Sequence, residues 1–98
     1  MSMNSIWMVY TTDDTNEIGQ VIATGSHKNE ALTKAENYYL DLAQDTWSEE
    51  KRSLYHWIAN ELQKINGTEK NSIIIGYDRE IQVTEFTYYK ENHIMWAK

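Results

Sequence analysis

The chain has 98 residues and no cysteine. Disulfides, thiolate metal sites and a cysteine nucleophile are therefore excluded, and the absence fits the cytoplasm. Proline is also missing, and this by itself places no boundary. The four glycines are scattered at positions 19, 25, 67 and 76, so no glycine-rich phosphate loop exists. No apolar run approaches the roughly 18 residues of a membrane helix. The opening stretch, MSMNSIWMVYTTDD, lacks a basic segment followed by an apolar core, so no signal peptide is expected. Positive charge is scarce: nine Lys and Arg stand against 15 Asp and Glu, a net charge of −6. Residues 1–25 hold Asp13, Asp14 and Glu17 and no Lys or Arg. Phosphate backbones are bound by clustered cations, so nucleic-acid binding is disfavoured.

The length suits one domain spanning residues 1–98 with one modest core. Aromatic residues make up 12% of the chain, and they serve a small core and a binding surface equally well. The clearest periodicity runs from Trp47 to Asn66. Trp47, Leu54, Ile58, Leu62 and Ile65 fall on one stripe at about 100° per residue, which predicts an amphipathic helix. Thr46 and Glu49 have capping-box spacing before it, and Gly67 supplies a stop. Trp57 lies at the margin of the stripe, so Ile58 is expected buried and Trp57 partly exposed.

Ser5 to Thr12 reads as a strand with apolar groups on both faces, Ile6, Met8 and Tyr10 alternating with Trp7 and Val9. Residues 13–16, DDTN, form a turn, and Glu17 to Thr24 a second strand, with Gly19 marking a bulge or a close approach. From Ser26, the expected N-cap, to about Gln44, an apolar helical face holds Ala31, Leu32, Ala35, Tyr38, Tyr39, Leu42 and Ala43. Leu40 falls roughly 140° from its centre and should be exposed or covered by something else. Ser72 to Tyr77 is a short strand, Asp78-Arg79 a turn, and Glu80 to Lys90 the longest strand. In that strand Ile81 and Val83 take one parity and Phe86 and Tyr88 the other, so either both faces are used or a bulge resets the register. The stretch 91–98 fits a last strand or turn. The order β-β-α-α-β-β implies an α+β fold, an antiparallel sheet of about four strands with both helices on one face.

Catalytic constellations are not evident. His27, His56 and His93 have no metal-ligand spacing. No G-x-S-x-G elbow occurs, and the acid pairs at 13–14 and 49–50 fit a turn and a first helical turn. No catalytic residue, metal or cofactor is assigned. The aromatics carry more information. Two helices cover one sheet face, and with Ile6, Met8 and Tyr10 turned inward the other face holds Trp7 and one of Tyr88 or Tyr89, rimmed by Asp13, Asp14 and Glu17. Large aromatics anchor interfaces, and an acidic rim steers a basic partner. The function expected is that of a small non-enzymatic interaction protein binding a basic protein partner, of the kind of inhibitor or regulator made by mobile elements. Two alternatives stand beside it. One is a homo-oligomeric assembly subunit, since a homodimer would also cover the aromatics. The other is a small enzyme or small-molecule binder with a site between sheet and helices.

Overall fold

The structure, a computed structural model, describes residues 3–13, 15, 17–76, 79–89 and 94–97. The elements are β1 (Met3–Thr12), β2 (Ile18–Gly25), α1 (Lys28–Asp45), α2 (Glu49–Ile65), β3 (Ser72–Gly76), β4 (Arg79–Tyr89) and β5 (Ile94–Ala97). The strands form one antiparallel sheet in the order β2-β1-β4-β3, and β5 pairs with β4. The two helices lie together on one face of it, so the fold is the expected α+β arrangement. The stretch 94–97 adds a strand at the sheet edge and does not lie across the open face.

β4 organises the sheet. β1 runs along one of its edges in unbroken register, from Met3 opposite Tyr89 to Thr12 opposite Glu80. Its other edge is shared, with β3 pairing at one end and β5 at the other. β1 and β4 are therefore central, which explains why both are apolar on both faces. No bulge resets β4; Ile81 and Val83 face the helices, and Phe86 belongs to the opposite row.

The parity of β1 is the reverse of the expected one. Val9 is fully buried and pairs with buried Val83, and Thr11 pairs with fully buried Ile81. Trp7, Val9 and Thr11 thus face the helices, and Ile6, Met8 and Tyr10 face away. Helix–sheet spacing gives the reason. α1 presents Ala31 and Ala35, both fully buried, and the end of β2 comes so close that a Cβ on Gly25 would sit 2.8 Å from the Ala31 nitrogen. Val9, Val83 and Ile81 fill the gap under these alanines, with Trp7 half-buried at its margin, and Met8 and Tyr10 stand on the open side.

α2 joins this core through Ile58, Ala59, Leu62 and Ile65, and β3 through Ile73. Ile58 is 2% exposed and Trp57 43% exposed, as the helical phase requires, and Leu40 is exposed. The helix starts differ from expectation by one or two residues. α1 is capped by His27, with no side-chain cap bond, while Glu30 Oε1 accepts from the Ser26 N–H at 3.4 Å. α2 is capped by Ser48, whose Oγ accepts from the Lys51 N–H at 3.2 Å. Thr46 closes α1 instead, its N–H donating to Leu42 O at 3.1 Å. Trp47 consequently lies in the link between the helices, off the stripe, and is 97% exposed. Gly67 does end α2, with φ +84° in the region that favours glycine.

Candidate functional site

Two surfaces merit consideration, one on each side of the sheet. The open face is built in rows by the strand pairing. Ile18, Thr12, Glu80 and Ile74 form one row, Val21, Tyr10, Gln82 and Ser72 the next, and Thr24, Met8 and Thr84 a third. Ile6 and Phe86 follow. Ile18, Val21 and Ile74 are exposed, Ile6, Met8 and Tyr10 half-buried, and Phe86 buried. The Tyr10 and Phe86 rings pack at 6.1 Å, and the Tyr10 hydroxyl shares a 2.9 Å hydrogen bond with Thr84 Oγ1. Gln82 Nε2 donates to the carboxylate of Glu80. Among the described residues this face carries Glu80 as its acid and no Lys or Arg.

The second surface is a cleft of about 690 Å³ on the helix side, at the end of the sheet where β1 turns into β2. α1 contributes Tyr38, Tyr39 and Leu42, α2 Lys51, Leu54, Tyr55 and Ile58, and the strand ends Thr11, Gln20, Ile75 and Arg79. The Tyr38 and Tyr39 rings meet edge to face at 5.2 Å, and Tyr39 and Tyr55 lie 6.1 Å apart. Gln20 Nε2 donates to the Tyr38 hydroxyl at 3.1 Å. Burial pushes the Tyr39 phenol up to about 12, reinforced by Tyr38 and Tyr55 and opposed by Arg79. A double irregularity in β2 shapes the rim: the pairing with β1 shifts on either side of Tyr10, and Gln20 N–H bonds Thr11 Oγ1 at 3.0 Å. Gly19 at this irregularity is also a close approach, since a Cβ there would lie 3.0 Å from Thr11 Oγ1.

The residues singled out from the sequence do not form one surface. Trp7 is half-buried and packs on the helix-side core, so its placement on the open face is corrected. Asp13 organises the hairpin turn: its Oδ1 accepts from the N–H and hydroxyl of Thr15 and from the Glu17 N–H. The Thr15 hydroxyl, then its N–H, holds the Asp13 carboxyl below the ordinary carboxylate value. Glu17 is exposed just before β2. Asp14 lies outside the described residues, as does His93, and so do the side chains of Tyr88 and Tyr89, whose backbones pair with Asn4 and Met3.

A site between sheet and helices stood among the alternatives read from the sequence, but none of the residues that line this cleft was assigned to it, although one signal was present. Arg79 shares the parity of core residues Ile81 and Val83, and a cation at a core parity marks a place where the core opens. No three His, Asp or Glu gather as a metal site among the described residues, and no helix there is long and apolar enough to cross a membrane. No protein-family model, curated protein or solved structure matches the chain.

Proposed function

We propose that the protein is a non-enzymatic interaction module that docks a basic protein partner on the open face of its sheet. The supporting observation is the composition of that face. Ile18 and Val21 on β2 and Ile74 on β3 are exposed large apolar groups, and between them, on β1 and β4, lie Tyr10, Met8 and Phe86. A contiguous apolar sheet face of this kind marks a contact surface. Its charge selects the occupant. Glu80 lies within it and Asp13 and Glu17 beside it, with no cation among the described residues of the face, in a chain of net charge −6. Face-to-face pairing of two copies would oppose acid to acid, so a basic partner fits better than a second copy. A partner whose basic surface ordinarily holds phosphate would be occluded by such docking, which is an inhibitor's or regulator's action.

The test is affinity capture from the native host, followed by titration of the purified partner at two salt concentrations. Val21→Lys and Ile74→Lys place cations on exposed positions of the face and should leave the fold intact. Binding that weakens at least tenfold in both variants, and weakens with salt in the wild type, is the expected result. Partner binding indifferent to both variants, or a stable homodimer that both variants dissociate, overturns the reading.

A further inference from the structure

We propose that the cleft between the helix pair and the hairpin end of the sheet binds a small organic monocarboxylate with a flat, aromatic body, its carboxylate held by Lys51 and Arg79 and its ring packed among Tyr38, Tyr39 and Tyr55. This inference does not rest on the open-face reading: Thr12 and Asp13 at the hairpin border both surfaces, and the remaining groups that would hold the ligand lie on the helix side of the sheet.

The volume of about 690 Å³ is in the range of small-ligand sites, roughly 300–1,000 Å³. The walls are apolar groups that the fold leaves uncovered. Leu54 belongs to the apolar stripe of α2 yet is 39% exposed, and Leu42, Tyr55 and Ile75 are only half-buried. The tyrosine rings pack on one another in series, so the aromatic wall stands without a ligand. Because Tyr38 accepts its hydrogen bond from Gln20, its own O–H remains available to donate into the cleft.

Charge decides the class of ligand. Lys28 and Arg52 donate to backbone carbonyls, and Lys34 and Lys64 pair with Glu30 and Glu61. Lys51 and Arg79 line the cleft and have no ion-pair partner among the described residues, although the chain holds more acids than bases. Asp13 also lines the cleft. Among the described lining residues, two cations against one carboxylate leave a single net positive charge, which suits a monoanion over a dianion such as a phosphate monoester. A planar carboxylate matches the fork of the Arg79 guanidinium, and a ring matches the tyrosine wall.

Indole-3-carboxylate, its neutral analogue indole-3-carboxamide and phenyl phosphate are titrated into the ¹⁵N-labelled full chain and followed by amide chemical shifts. The carboxylate should give saturable shifts centred on Tyr38, Tyr39, Lys51, Tyr55 and Arg79. The carboxamide and the phosphate should bind at least tenfold more weakly, a comparison that needs no variant. Lys51→Met and Arg79→Met should each weaken the carboxylate about tenfold with an unchanged thermal midpoint. Equal binding of acid and amide, shifts that map to the open sheet face, or no saturable shift at millimolar carboxylate overturns the proposal.

Discussion

Trp7 stands between Gly25 on β2 and Glu85 on β4, on the face that the helices cover. Its ring packs against the buried cluster around Val9 and Val83, so its role is structural before any other. Trp7→Ala should destabilise the domain by about 2–4 kcal/mol, the range for removing a large side chain from a core margin; urea denaturation measures it. Tyr39 makes a second prediction at this scale. Its phenol is raised from 10 to about 12 in the fold, chiefly by burial. Both states hold the proton below pH 10, so the stabilising contribution is complete there. Above pH 10 the unfolded chain ionises first, and the contribution is lost as pH rises through about 12. Allowing for solvent at the cleft, the loss is on the order of 1–2 kcal/mol. Urea midpoints at pH 9 and pH 11 should therefore differ more for the wild type than for Tyr39→Phe.

Among the elements, the helical pair depends on its junction. α1 ends without a basic residue in its last turn, so its terminal carbonyls need another donor. Arg52, in the first turn of α2, supplies it: Nε donates to Ala43 O at 3.3 Å and the guanidinium donates to Thr46 O at 2.9 Å. The same turn is held by the Ser48 cap. A cation at a helix C-terminus also complements its dipole. Arg52→Met should cost about 1–2 kcal/mol, lowering the thermal midpoint by about 5–10 °C in a domain of this size. Lys28 performs a similar task at the other end of α1, donating to Thr68 O and Lys70 O and so tying the loop before β3 to the helix. Its partial desolvation lowers its pKa.

For the molecule as a whole, charge is the dominant long-range property. With a net charge of −6 and its described cations either partnered or dispersed, the surface offers no basic stripe for a phosphate backbone. Gel-shift titrations at physiological salt should show no binding to duplex DNA or RNA up to about 100 μM protein, a concentration at which nonspecific binders are at least about half-saturated. A salt-sensitive complex in the micromolar range would contradict this. The two candidate surfaces divide the same charge unevenly: the open face is acidic, and the cleft has Lys51 and Arg79. An acidic exterior with a local cationic recess can hold a basic protein outside and a small anion within.

The local features of the sequence determined the elements. A helical period, a cap and a glycine stop act within a few turns, so the phase of α2 was legible, with Ile58 buried and Trp57 exposed, as was the exposure of Leu40 on α1. The β-β-α-α-β-β order and the helix-covered sheet followed from the same short-range patterns. β1 was not decidable this way, because Ile6, Met8 and Tyr10 are as apolar as Trp7 and Val9, and alternation cannot rank two apolar faces. Only the packing of α1, close at Ala31, Ala35 and Gly25, shows which side is covered, with Val9 buried beneath it and Trp7 at its margin. The open face therefore carries Met8, Tyr10 and Phe86 instead of Trp7. The cleft depended still more on tertiary structure. Tyr38, Lys51, Tyr55 and Arg79 come from three elements far apart in the chain, and no local period relates them. They meet because the helix pair packs across the sheet, over alanines at Ala31 and Ala35 and over the tyrosine rings at the hairpin end.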